Sequence, residues 1–171
     1  IGVMHSPDFY GSVARVIPIQ EIASYIASDN VELVALAANC VRNFIWCNSS
    51  TKRVVFNEIL PTLMTLEGLT LGQKEEIVGV IISALKRSTR SEMEHFYTPP
   101  ILEFIFSILI TCQKCGEDIL NFLLFVEPKS PFTHEFLCEQ QNMLDLMNVC
   151  ENMRNQNIRE LSQVLINRLL E

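Results

Sequence analysis

The chain has 171 residues, of which 49% are hydrophobic and 19% charged, and its formal net charge at pH 7 is −7. This balance excludes a disordered chain and argues against nucleic acid as a direct partner, since a phosphate backbone binds clustered Lys and Arg. No apolar run reaches the roughly 18–20 residues that span a bilayer, and the first residues lack a signal-peptide pattern. We therefore expect an intracellular chain, in the cytoplasm or nucleus, with no membrane partner. Its start at Ile1 suggests a fragment of a longer protein.

Apolar residues recur at helical spacing along the chain, and no segment alternates cleanly between apolar and polar residues as a strand would. The predicted helices are, in chain order, 19–27, 29–47, 52–58, 60–66, 72–87, 91–97, 101–112, 117–125, 135–140, 143–153 and 157–170. In helix 29–47, two neighbouring apolar stripes indicate burial around most of the circumference. Asp29 is its predicted N-cap, with Glu32 in the capping-box position.

The helices follow a repeating order of short, medium and long. Pro18, Pro61 and Pro100 each open a medium helix, at separations of 43 and 39 residues, and Asn142 takes a fourth such position after another 42. Helical repeats of about 40–47 residues are typical of armadillo and HEAT arrays. We expect an all-α chain that forms a right-handed α-solenoid in a single domain, 1–171. Its repeat units are predicted at about 6–48, 49–88, 89–127 and 128–171.

Segments of the first, second and last units resemble the armadillo repeat family. The stretch LAANCVRNFIW (36–46) matches the end of an armadillo third helix, where a small residue, an aliphatic residue and an Asn precede another apolar residue. The next stretch, KRVVFNEILPTLMTL (52–66), looks like the short acidic-ended helix and Leu-Pro helix that open the following unit. VLIN (164–167) echoes the third-helix ending in the last unit. A HEAT array fits the spacing equally well.

The resemblance also implies which residues bind a partner. Armadillo proteins use the third-helix Asn to hold the backbone of an extended peptide, often with a Trp one turn earlier. Asn43 and Asn167 match that Asn, while Asn39 and Asn121 stand where the Trp would be. No ladder of Trp residues exists, so importin-like capture of basic peptides is not expected.

The residues support a binding surface independently of that resemblance. Asn39, Asn43 and Trp46 fall at i, i+4 and i+7 of one helix, and therefore on one face. Side-chain amides can bond a peptide backbone, and Trp is a frequent interface anchor. We hypothesise that this stripe contacts a partner. The alternative is that Trp46 fills the junction between units and the Asn side chains cap neighbouring loops.

A basic cluster follows the helix predicted at 72–87. It consists of Lys86, Arg87 and Arg90, with Lys52 and Arg53 one unit earlier. On an acidic chain, such a cluster can bind an acidic peptide or a phosphorylated residue. The alternative is a solvated helix end, where Lys86 and Arg87 interact favourably with the helix dipole.

Catalytic and metal-binding patterns are not found in the sequence. Cys112 and Cys115 form a C-x-x-C pair, but no second ligand pair of matching spacing accompanies it. His134 is placed in a Pro-rich loop, and neither it nor His95 stands beside an orienting residue pattern. No Gly-rich phosphate loop or nucleophile elbow occurs. We expect no enzyme activity, no cofactor and no metal.

The predicted function is therefore protein–protein interaction. A stacked helical array presents a concave surface, on which a scaffold or adaptor domain binds an extended peptide or amphipathic helix of a partner. The alternative is a structural or dimerisation segment of a larger helical-repeat protein, in which no peptide groove is used and the chain self-associates.

Overall fold

A computed structural model describes residues 18–47, 49–112 and 114–171 of the chain. All regular secondary structure in these ranges is helical and none is β-strand, which confirms the all-α prediction. The predicted beginning of the first repeat unit, at 6–17, lies outside them. Two compact units divide the chain, Ile1–Phe96 and Tyr97–Glu171.

The first unit contains six α-helices in its described part. They are α1 (Ile19–Ser24, extended by the 3-10 turn Tyr25–Ala27), α2 (Val31–Cys47), α3 (Ser49–Val54), α4 (Leu60–Met64), α5 (Leu71–Leu85) and α6 (Arg90–Phe96). A π-helical stretch, Val55–Ile59, joins α3 to α4.

The second unit contains five α-helices among the described residues. They are α7 (Pro99–Leu109), α8 (Gly116–Val126), α9 (Pro131–Cys138), α10 (Gln140–Asn152) and α11 (Gln156–Leu169), with the 3-10 turn Glu127–Lys129 between α8 and α9.

Polar side chains begin the two longest helices of the first unit. Asn30, and not the predicted Asp29, caps α2, because its Oδ1 accepts hydrogen bonds from the backbone N–H groups of Glu32 and Leu33 at 3.0 and 3.2 Å. At α5, Thr70 and Gln73 form a capping box: each side chain accepts a hydrogen bond from the other residue's backbone N–H.

Two proline positions explain where the observed helices depart from the predicted ones. The segments predicted at 52–58 and 60–66 form one continuous helical run, with its π-helical stretch just before Pro61. A Pro ring clashes with the carbonyl four residues earlier, and a local widening of the helix relieves that clash. Pro131 occupies the first turn of α9, so this helix begins well before the predicted 135, and His134 lies in a helix rather than a loop.

Each unit has its own apolar core. In the first unit, α2 packs against α5 through fully buried residues such as Ala38, Val41, Ile77 and Ile81. In the second unit, α8 packs against α7 and α11, and α10 packs against α11. Its fully buried side chains include Leu102, Ile105, Leu109, Ile119, Leu120, Leu123, Ile158 and Leu165. No helix within the described ranges is both long and apolar enough to cross a bilayer.

Candidate functional site

The outer face of α2 carries the predicted Asn-Asn-Trp stripe. Packing of Ala38 and Val41 into the core directs the opposite face of the helix outward. Asn39 is exposed, Asn43 is half-buried, and the Trp46 side chain is 63% exposed. A Trp this exposed contributes little to the core, so its indole is available to a ligand.

A cleft of about 250 Å³ lies beside this stripe in the first unit. Its lining residues come from α2, α3, α5 and the turn after α5: Asn39, Arg42, Asn43, Ile45, Trp46, Lys52, Ser83, Ala84 and Arg87. The structure thus brings together four of the predicted site residues, Asn39, Asn43, Trp46 and Arg87.

Arg87 covers one side of the Trp46 ring. Its guanidinium carbon lies 3.9 Å from the ring centroid, within the range of a cation–π interaction. Because Arg87 follows the last turn of α5 and Trp46 lies at the end of α2, the contact depends on the packing of these two helices. Among the described residues, no carboxylate pairs with Arg87.

Arg42 lines the cleft and connects α2 to α5. Its guanidinium donates hydrogen bonds to Asn39 Oδ1 at 2.7 Å and to Glu76 Oε2 at 2.6 Å. Gly79 leaves the space for this side chain, since a Cβ built there would collide with the guanidinium. Arg42 therefore fixes the Asn39 amide through its oxygen, which leaves the two N–H donors of that amide for a ligand.

Lys52 is the most buried cation of the cleft. Its side chain is 9% exposed, and its ammonium lies 3.1 Å from Glu92 Oε1 and 3.4 Å from Ser88 Oγ. The pKa of Glu92 is lowered, first by the hydrogen bond that the backbone N–H of Thr89 donates to its carboxylate and also by Lys52. Of the three cations that line the cleft, two thus have a carboxylate partner.

The other predicted site residues do not line this cleft. Lys86 and Arg90 are exposed, and the Arg90 guanidinium pairs with Glu94 at 3.0 Å on the surface of α6. Asn121 on α8 and Asn167 on α11 are exposed in the second unit, where Asn167 Oδ1 accepts a hydrogen bond from Gln163 at 2.8 Å.

Five lining residues were not predicted as site residues, and three of them are polar: Arg42, Lys52 and Ser83. Arg42 could have been found, because it lies three residues after Asn39 and so on the same helical stripe. Lys52 was noted only as part of the basic cluster, and nothing in the sequence pattern indicated Ser83. Their positions depend on how α3 and α5 pack against α2.

The C-x-x-C pair does not form part of this site. Cys112 is buried and Cys115 is half-buried in the second unit, while Gln113 between them lies outside the described residues. In the described part of the chain, no group of three or more His, Cys, Asp or Glu side chains is placed to bind a metal ion.

Comparison of the chain with protein-family models, curated proteins and solved structures found no match. The armadillo and HEAT resemblance therefore stays a prediction.

Proposed function

We propose that the chain is a non-catalytic protein–protein interaction domain of the scaffold or adaptor type, and that the cleft of the first unit binds an extended peptide of a partner. The observation that carries this proposal is the half-covered Trp46 ring, which is exposed to solvent beside a polar cleft and held by Arg87. Exposed Trp and Arg side chains that frame a pocket are typical of interface hot spots.

The lining residues favour a particular peptide. The free face of Trp46 would contact an apolar or proline side chain, while the amides of Asn39 and Asn43 would bond the peptide backbone. Arg87, the lining cation without a carboxylate partner among the described residues, favours an acidic residue next to the apolar one. An amphipathic helix that presents the same two groups is the other partner form we consider.

For the fold, we propose a right-handed α-solenoid of about four armadillo- or HEAT-like units in an intracellular protein. The supporting facts are the all-helical structure and the recurrence of Pro at the start of α1, α4 and α7. Stacked helical repeats present extended surfaces suited to peptides.

The test uses Trp46 as its own probe, because it is the only Trp in the chain. Peptides are selected from a random display library on the immobilised 171-residue chain, and each is titrated while Trp fluorescence is recorded. We expect selected peptides to share an acidic residue next to an apolar one and to change the fluorescence on binding. If no peptide is selected, or if the selected peptides leave the Trp46 fluorescence unchanged, the proposal is contradicted.

Variants locate the binding surface. Asn43→Ala and Arg87→Ala should each weaken peptide binding by at least about fivefold, which corresponds to about 1 kcal/mol. Leu71→Ala is the matched control, since Leu71 begins α5, is 42% exposed and does not line the cleft. Equal affinity of all three variants would exclude the cleft as the peptide site.

Self-association is the second candidate function. It is favoured by apolar side chains exposed on and just after the last two helices: Leu144, Met147, Val164 and Leu170, which are 47%, 43%, 49% and 72% exposed. Sedimentation of the wild-type chain beside Leu144→Glu and Val164→Glu tests it. A dimer that dissociates in these variants would support this role, and a monomer at all concentrations would exclude it.

A further inference from the structure

Three side chains of the second unit lie in the order that nucleophilic catalysis requires: thiol, imidazole, carboxylate. Cys138 Sγ lies 3.6 Å from His134 Nε2, and His134 Nδ1 lies 2.8 Å from Glu127 Oε1. His134 and Cys138 are four residues apart on α9, while Glu127 comes from the 3-10 turn before it. A base within reach of a nucleophile, oriented by a third group, is the general arrangement of activated Ser and Cys residues.

The carboxylate of Glu127 is buried in the second unit. Its side chain is 7% exposed, and its Oε2 accepts no hydrogen bond from the described residues. The guanidinium of Arg168 lies 3.8 Å from Oε2, and donates instead to the carbonyl oxygen of Leu124 at 2.8 Å. A buried carboxylate can only accept hydrogen bonds, so it selects the His134 tautomer with the proton on Nδ1. Nε2 is then the acceptor that faces the thiol.

The residue that bears this thiol is more exposed than the other cysteines whose side chains the structure describes, and its Sγ also lies 4.0 Å from the carbonyl oxygen of Leu169. Cys138 is exposed, whereas Cys112 is buried and the remaining described thiols are half-buried. Burial raises the pKa of the Cys40 thiol. Cys150 Sγ lies 3.5 Å from the carbonyl oxygen of Arg159 and 3.5 Å from Gln163 Oε1, and no imidazole of the described residues hydrogen-bonds to it. Within the described residues, Cys138 alone combines exposure with a neighbouring base.

We propose that Cys138 is a nucleophilic site that exchanges with low-molecular-weight disulfides, with His134 as the general base and Glu127 as the residue that positions it. The Cys138 S–H proton moves to His134 Nε2, and the thiolate attacks one sulfur of the disulfide. A new S–S bond forms at Cys138 while the S–S bond of the reagent breaks. The departing thiolate takes the proton from the imidazolium and leaves as a free thiol, so the exchange needs no other reactant.

The same geometry explains why the carboxylate is buried beside the imidazole. When His134 accepts the proton, its new positive charge lies 2.8 Å from a carboxylate that is largely shielded from water. Charge pairs interact more strongly in such surroundings than in bulk water. Glu127 therefore stabilises the imidazolium that forms when the Cys138 proton is transferred. The inference does not depend on peptide binding in the first unit.

The experiment measures exchange at individual cysteines of the full 171-residue chain. The neutral reagent 4,4′-dithiodipyridine is added at neutral pH, aliquots are quenched in acid, and each cysteine is followed by peptide mass spectrometry. We expect Cys138 to react about tenfold faster than Cys150, because an adjacent general base activates a nucleophile. The exposed His134 can be changed without a loss of core packing, and His134→Gln should slow Cys138 about tenfold and leave Cys150 unchanged.

Glu127→Gln tests the positioning role. It keeps a hydrogen-bond acceptor but removes the charge, and should slow Cys138 several-fold relative to Cys150 in the same molecule. Cys112, which is 2% exposed, becomes reactive if a variant unfolds, so a folding defect is distinguished from a lost base. The proposal is overturned if Cys138 in folded His134→Gln reacts within twofold of the wild-type rate, or if Cys138 reacts no faster than Cys150 in the wild-type chain.

Discussion

The guanidinium carbon of Arg87 lies 3.9 Å from the centroid of the Trp46 ring, so the ends of α5 and α2 are joined by a cation–π contact at the surface of the first unit. The contact covers one face of an indole that is still 63% exposed. A ligand that uses the other face therefore meets a ring whose orientation is already fixed. Pre-ordering of this kind lowers the entropy cost of binding.

Arg87→Ala should release the Trp46 ring without unfolding the chain. An exposed cation–π contact contributes about 0.5–1 kcal/mol, so the free energy of unfolding should fall by no more than that. The steady-state fluorescence anisotropy of Trp46 should decrease because the ring gains rotational freedom. Arg90→Ala is the control, since Arg90 is 94% exposed and pairs only with Glu94 among the described residues. Equal anisotropy in both variants would show that Arg87 does not restrain the ring.

Replacement of Glu92 and replacement of Lys52, the two partners of one ion pair, should lower the free energy of unfolding by different amounts. Glu92→Gln leaves a largely buried ammonium without its carboxylate and should lower the free energy of unfolding by about 1–3 kcal/mol. Lys52→Met removes the buried charge and keeps the apolar stem, so its cost should be smaller, below about 1 kcal/mol. Urea denaturation of both variants measures the two values. If Lys52→Met lowers the free energy of unfolding more than Glu92→Gln does, the burial of an ammonium that depends on its carboxylate is contradicted.

The same pair predicts a dependence of stability on pH. The pKa of Glu92 is lowered from its ordinary value of 4.5 in the folded chain, chiefly by the Thr89 backbone N–H. The ionised carboxylate therefore stabilises the fold fully above the unfolded pKa, and this contribution is lost as pH falls through the lowered folded pKa. The difference in unfolding free energy between wild type and Glu92→Gln should be constant above about pH 5.5 and decrease in more acidic solution. A difference that does not change down to about pH 3 would refute this coupling.

Tyr97 and Thr133 should show an energetic coupling in the second unit. Thr133 Oγ1 donates a hydrogen bond of 3.1 Å to the Tyr97 hydroxyl, and both residues are buried. Tyr97→Phe or Thr133→Val alone leaves one hydroxyl without that partner and should cost about 1–2 kcal/mol, whereas the double variant should cost less than the sum. Thermal unfolding of the four proteins completes the double-mutant cycle. Additive losses would mean that the hydrogen bond contributes nothing.

Burial raises the pKa of Tyr97 well above the ordinary value of 10.0, because the phenolate would lack hydration. Ultraviolet titration of the folded chain should therefore show Tyr97 ionising only as the second unit unfolds.

Two glycines should respond in opposite ways to replacement by Ala. A Cβ at Gly72 meets no atom within 4 Å, so Gly72→Ala should stabilise α5 by about 0.5–1 kcal/mol through helix propensity. A Cβ at Gly116 would lie 2.8 Å from Cδ1 of Ile158, a fully buried side chain that would have to shift within a packed core. Gly116→Ala should destabilise the chain by about 1–3 kcal/mol. Chemical denaturation measures the change in the free energy of unfolding for each variant. If Gly116→Ala is more stable than the wild type, the core at Ile158 is loosely packed.

The sequence predicted which segments are helical and which side of α2 is outward. Helical periodicity is a local property, so the apolar stripes of α2 and α5 and the Asn39, Asn43 and Trp46 stripe could be identified from spacing alone. The predicted positions of helix starts were less accurate. Asn30 caps α2 in place of Asp29, and Pro131 begins α9 four residues before the predicted start. The cap of α2 is identified by the hydrogen bonds that Asn30 Oδ1 accepts, and the start of α9 by Pro131 in its first turn.

The residue pattern of the chain is enough to predict its all-helical character and the composition of one exposed stripe. Which side chains come into contact depends on the packing of the helices. Arg87 lies over Trp46, and Lys52 pairs with a carboxylate 40 positions away. The physical reason is that helix periodicity arises from hydrogen bonds within a few residues, whereas these contacts depend on how helices that are distant in the chain pack to bury their apolar faces.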